Sequence, residues 1–129
     1  MTIPATASVT AFCGLLMVLL AARISHLRFS HKISLGDGGN RALGLAMRLH
    51  GNTAEHAPIY LLLSLVYELS HGTDRFVIGC GIAFVVSRLL FTWGMWKKAF
   101  SRSRQLGILI TYLSQAALAV ALLAGLLRA

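Results

Sequence analysis

The chain has 129 residues, enough for a single domain, and at 57% hydrophobic and 12% charged it is too apolar for disorder or for an ordinary soluble fold. Its mean hydropathy of +0.73 makes the bilayer the expected solvent. The formal net charge of +8 would suit nucleic acid if the cations formed one patch, but they divide between two polar stretches separated by apolar runs, with no RNP or helix-turn-helix pattern, so no nucleic-acid partner is expected.

A spanning helix needs about 20 mostly apolar residues. The first such segment runs over about 4–23. No Lys or Arg precedes it and it is longer than the apolar core of a signal peptide, so it is expected to remain in the mature protein. It holds Cys13, which like Cys80 further on has no second sulfur or His at ligand spacing. Both cysteines read as small hydrophobes, and neither a disulfide nor a metal site is expected. Arg23 closes the segment. The polar stretch after it ends in Gly36-Asp37-Gly38-Gly39-Asn40, residues that tolerate positive φ and offer Asp37 and Asn40 as candidate N-caps. No strand precedes these glycines and no Gly-Lys-Ser/Thr follows, which argues against a phosphate-binding loop.

The second segment, about 40–69, is the unusual one. Its first half carries Arg41, Arg48, His50, Asn52, Glu55 and His56 before it turns apolar at Ile59. At 100° per residue, Arg41, Arg48, Asn52 and Glu55 fall within a stripe about 60° wide, with His50 opposite and His56 to one flank. Such a stripe either ties the bundle together internally, through Arg48–Glu55 or Arg41–Asn52, or serves function, which is the default for ionisable residues at membrane depth. Pro58 removes a backbone donor and predicts a bend just after Glu55 that frees the Ala54 carbonyl. His71-Gly72 ends the helix, the glycine being suited to C′.

The third segment, about 75–96, contains Arg88 between Phe84-Val85-Val86-Ser87 and Leu89-Leu90-Phe91, so this cation must face protein or water. The fourth, about 104–127, begins at Arg104, with Ser101 or Ser103 as its cap. Trp93, Trp96 and Tyr112 could add aromatic contact near the same end, although tryptophan there also suits an interfacial belt. Most of the basic residues lie in or beside the first and third connections (Arg28 and Lys32; Lys97, Lys98 and Arg102), while the second is short. The positive-inside rule therefore places both basic loops in the cytoplasm and both termini opposite. The expected fold is an all-α, integral membrane four-helix bundle over residues 1–129, since only helices and closed barrels satisfy their backbone in lipid. One subunit cannot easily shield the polar stripe and Arg88, so the stripe is expected to meet other copies of the chain.

A pocket built from Arg48, Arg88, Arg104, Asn52 and Glu55 sets several guanidiniums against one carboxylate and suits a small zwitterion with excess negative charge. Glutathione has that character. A phospholipid headgroup or an anionic nucleotide fits the same composition.

The run Arg48-Leu-His50-Gly-Asn52-Thr-Ala-Glu55-His-Ala-Pro58, with the leucine-rich stretch to Glu68, resembles the signature of the MAPEG family, the membrane-associated proteins in eicosanoid and glutathione metabolism. The glycine-rich approach at 36–40 is similar to its bacterial branch. The resemblance implies a homotrimer of four-helix subunits in the bacterial inner membrane, binding glutathione between subunits towards the cytoplasm. It also implies glutathione-binding roles for Arg48, Asn52, Glu55 and Arg88, a weaker match for Arg23, and for Arg104 the stabilisation of the thiolate. Gly51 departs from the arginine that eicosanoid-processing members often carry there, and Phe91 and Met95 stand where the family often has tyrosines.

The activity implied is that of a glutathione-dependent transferase or peroxidase. A guanidinium in a low-dielectric cleft favours the thiolate of bound glutathione, which attacks a lipophilic electrophile or hydroperoxide arriving through the bilayer. The reading from a different class is a non-catalytic membrane protein whose polar stripe binds an anionic ligand or lipid headgroup, or serves assembly. Transport is disfavoured because the first helix lacks the ionisable acid that proton coupling in small multidrug transporters requires.

Overall fold

The computed structural model describes residues 2–96, 98 and 100–128; Lys97, counted above with the basic loop, lies outside the described residues. The described residues form four helices: α1 (Pro4–His31), α2 (Arg41–His71), α3 (Arg75–Met95) and α4 (Arg102–Arg128). α1, α3 and α4 are long and apolar enough to cross a bilayer. α2 is the longest, and the polar residues of its first half set it apart.

Three of the helices begin where local chemistry satisfies orphan amides. Asn40 caps α2 by accepting from Leu43 N at 3.0 Å, Asp74 caps α3 from Val77 N at 2.9 Å, and Ser101 Oγ accepts from Arg104 N at 3.2 Å in the first turn of α4. Asp37, the other candidate cap, instead accepts from Gly39 N within the loop. α1 has no cap of its own. Its N-cap position is Ile3, and the amides of Ala5 and Thr6 donate to the Glu68 carboxylate of α2 at 3.0 and 2.8 Å. A buried carboxylate at a helix N-terminus suits both the bare amides and the dipole. Gly72, at φ 78°, ends α2 with its N–H on the Glu68 carbonyl.

α1 runs on past its apolar portion to His31, well beyond the expected end near residue 23. Membrane length set that expectation, yet no Gly or Pro intervenes before Gly36 to stop the helix. α2 likewise continues through Pro58, where Gln115 of α4 braces the preceding turn: Nε2 donates to the His56 carbonyl at 2.9 Å, and Oε1 pairs with His56 Nδ1 at 3.2 Å.

α2 and α3 form the middle of the bundle and touch each other and both outer helices; α1 and α4 make no direct contact among the described residues. α3 and α4 pack most intimately, and glycine makes this possible. A Cβ on Gly107 would come within 2.7 Å of the Ser87 carbonyl oxygen and 2.8 Å of Phe91 N, and one on Gly94 within 2.5 Å of Arg104 N. Two core clusters result. One, around Tyr60, Phe84, Val77 and Leu118, contains both free cysteines, buried as small hydrophobes; the other, around Leu20, Leu49, Phe91 and Met95, underlies the end where the arginines gather.

Candidate functional site

Arg88, on α3, is the most deeply placed cation among the described residues, 1% exposed. Its guanidinium reaches two other helices. Nη1 donates to Asn52 Oδ1 of α2 at 2.9 Å, and Nη2 donates to Thr111 Oγ1 of α4. The Thr111 hydroxyl also lies 2.9 Å from Ser87 Oγ and from the Gly107 carbonyl, and Ser87 in turn donates to the Phe84 carbonyl at 2.6 Å. The guanidinium carbon sits 5.0 Å from the centre of the Phe91 ring and 5.7 Å from that of Phe84.

No carboxylate completes this arrangement among the described residues. Arg88 is held by an amide, a hydroxyl and aromatic faces, and its Nε has no partner. A buried charge with neutral neighbours only, and a donor to spare, is costly unless an anion joins it.

The other expected residues surround this pair at different depths. Arg48 and Glu55 lie on the same stripe of α2 as Asn52 but are exposed, and neither has a partner within the subunit among the described residues, so the internal Arg48–Glu55 tie does not form. Nor does Arg41–Asn52: the Asn52 amide oxygen accepts from Arg88 instead. An open cleft of about 550 Å³ lies against Arg48, lined also by Arg41, Gly44, Met47 and Asp37. Arg104 is half-buried in the first turn of α4, seven residues before Thr111 and on the same face, which puts it about 10 Å along the axis. Arg23 is committed elsewhere: its guanidinium stacks 3.6 Å above the Trp96 ring and donates to the Trp96 carbonyl at 3.0 Å, latching α1 to the end of α3.

Asn52 and Arg88 are thus brought together directly, Arg48 and Glu55 flank them on the outer face of α2, and Arg104 approaches along α4. Phe91 and Met95, each 2% exposed, belong to the core beneath. A second, mostly apolar cleft of about 800 Å³ opens where α3 gives way to α4, lined by Leu89, Thr92, Trp93, Trp96, Ser101 and Ser103. Thr111 and Ser87 escaped the reading of the sequence because a hydroxyl in an apolar helix normally bonds its own backbone. The available signal was positional: Ser87 adjoins Arg88, and Thr111 follows Arg104 by two turns.

The family model for the MAPEG family matches residues 6–124. The chain is also similar to the Inner membrane protein YecN of Escherichia coli strain K12, at 34% identity over 108 residues covering 81% of this chain and 82% of that protein; the protein of that name from E. coli O6:H1 matches to the same extent.

Proposed function

The chain belongs to the MAPEG family, and we propose that it is a glutathione-dependent transferase or peroxidase of the bacterial inner membrane, with glutathione bound between the subunits of a homotrimer. The observation that carries this reading is Arg88: a fully buried guanidinium whose partners are all neutral and whose Nε is unpartnered asks for an anion. Arg48 and Glu55 on the outer face of α2 offer a carboxylate partner and an ammonium partner, as a peptide with two carboxylates and one amine requires. That face goes on through Ile59, Leu62 and Val66, all exposed in the single subunit, so a neighbouring copy would cover apolar and ionic residues together.

In this mechanism Asn52 and Thr111 hold Arg88, Arg48 and Glu55 orient the peptide, and Arg104 and Arg23 are the remaining members of the binding set. Arg104 favours loss of the thiol proton to solvent by compensating the charge on sulfur. The thiolate then bonds to an electrophilic carbon, displacing its leaving group or adding to an activated double bond that takes a proton from solvent. With a hydroperoxide it attacks the terminal oxygen and breaks the O–O bond, giving the sulfenic acid of glutathione and an alkoxide that takes a proton from solvent, and a second glutathione converts the sulfenic acid to the disulfide and water. The apolar cleft beside Trp93, bordered by the residues that open α4, suits lateral arrival of the lipophile. Both basic loops face the cytoplasm, the compartment that supplies glutathione.

Calorimetric titration of glutathione into the detergent-purified protein, alongside Arg48→Ala and Arg88→Met, tests the binding. We expect binding by the wild type, weakened at least tenfold in either variant; no heat with wild type, or wild-type affinity in both variants, overturns the reading. Thiolate ultraviolet absorbance on mixing should be lost in Arg104→Leu while binding largely persists. A second reading, anion binding without turnover, is favoured by Phe91 and Met95, which are packed in the core and carry no hydroxyl to offer a sulfur. Binding by wild type without a thiolate signal selects it.

A further inference from the structure

The last two turns of α1 and the loop after them are built to display apolar side chains where no hydrocarbon core is expected. At 1.5 Å per residue the 28 residues of α1 span about 42 Å, roughly 12 Å more than the hydrocarbon core of a bilayer. The apolar run ends at Ala22, so the excess falls on Arg23–His31. Within this region Phe29 is 90% exposed, and in the loop Leu35 is 87% exposed.

Leu35 is not exposed for want of structure. Arg28 Nη1 donates to the Gly36 carbonyl at 2.9 Å and to the Ser34 carbonyl at 3.3 Å, the residues on either side of Leu35, while Nη2 meets Met47 Sδ of α2 at 3.5 Å. Lys32 turns the chain in the left-handed region at φ 54°, and the Ile33 side chain packs against Gly38, where a Cβ would lie only 3.0 Å away. One guanidinium therefore ties the loop to α1 and α2 and leaves Leu35 pointing away from the subunit.

Charge identifies the surface that accepts it. Between Arg23 and Arg41 there are four cations (Arg23, Arg28, Lys32, Arg41) against the single carboxylate of Asp37. The same end of the bundle carries exposed Trp93, Trp96 and Phe100 with Lys98 and Arg102, and the stacking of Arg23 on Trp96 joins the two groups. Aromatic and basic residues at one level mark a membrane–water boundary. Cations beside exposed apolar side chains favour a leaflet with anionic headgroups.

We propose that Phe29 and Leu35, held out by Arg28 and flanked by Lys32 and Arg41, form an interfacial anchor that inserts among the headgroups of an anionic leaflet. The anchor requires neither glutathione nor turnover, so it stands or falls separately from the catalytic reading. The chain has two tryptophans, both at this end; replacing them by Trp93→Phe and Trp96→Phe keeps a ring under Arg23 and allows Leu35→Trp to report alone. In vesicles of phosphatidylcholine containing brominated phosphatidylglycerol, its emission should be blue-shifted and quenched at least twofold more than by brominated phosphatidylcholine at equal mole fraction, and Lys32→Glu should abolish that preference. Red-shifted emission without quenching would place Leu35 in water, and blue-shifted emission without quenching would mean that a second copy covers it; either overturns the proposal, as does equal quenching by the two lipids. If the tryptophan-free chain does not fold, Leu35→Cys labelled with bimane in the otherwise native sequence gives the same readout.

Discussion

Arg88 shows how a residue costly in lipid is kept. It is stabilised by Asn52 and Thr111 from the two helices on either side of α3, and under the proposed function those contacts also fix where the anionic ligand meets it. Thr111→Val removes the acceptor for Nη2 and leaves that donor buried without a partner. A loss of about 1–3 kcal/mol in unfolding free energy is expected in detergent, with most of it restored in Thr111→Ser. Outside the membrane, Asp74 is a residue whose charge bears on stability. Its bond from Val77 N, the largest influence, and that from the Tyr67 hydroxyl hold its carboxyl below the usual carboxylate range. Because the folded value is the lower one, the stabilisation is present above the unfolded value near ~3.9 and disappears as pH falls through the folded value. A thermal scan from pH 6 to pH 3 should show the wild type losing stability on acidification, and Asp74→Asn losing less.

Between helices, the decisive residues are those with no side chain. Gly107 lets α4 approach α3 closely enough for Thr111 to reach Arg88 and Ser87, so the packing of two elements and the geometry of the site share one cause. Gly107→Ala should cost about 1–3 kcal/mol through overpacking and weaken glutathione binding with it. Gly79, with nothing within 4 Å of its Cβ position, is the control: Gly79→Ala should be neutral or stabilising by up to about 1 kcal/mol, as helix propensity alone dictates. Comparison of the two melting curves in one detergent checks both. The Glu68 carboxylate on the first turn of α1 is a second tertiary device of this kind, joining the start of one helix to the end of the next.

For the whole molecule, the outward face of α2 predicts assembly and the charges of the loops predict orientation. Native mass spectrometry in mild detergent should find a trimer, and a monomer or dimer as the sole species would contradict the proposed site between subunits. Cysteines introduced at Gly38 and Ser101 should resist an impermeant maleimide in intact cells, whereas one at Gly72 should react; the reverse pattern would turn the site away from cytoplasmic glutathione.

The four helices, their order and the caps at Asn40, Gly72 and Ser101 were legible in the sequence, because apolar run length, turn residues and capping side chains are local properties. So was the stripe of Arg48, Asn52 and Glu55, since helical periodicity alone places those residues on one face. Helix length was less legible: the bilayer limits the apolar run of α1 but not the helix, which continues until Lys32 turns it. Which partner each polar group takes was decided only by tertiary structure. The stripe allowed Arg41–Asn52 and Arg48–Glu55, yet Asn52 turns to Arg88, Arg23 latches onto Trp96, and Glu68 caps α1, because these contacts depend on how closely helices distant in sequence approach one another. Between α3 and α4 that approach is set by Gly94 and Gly107, whose role has no periodicity to reveal it. Composition and spacing therefore determined what kind of molecule this is, whereas helix packing decided which buried charge was left without a counter-charge.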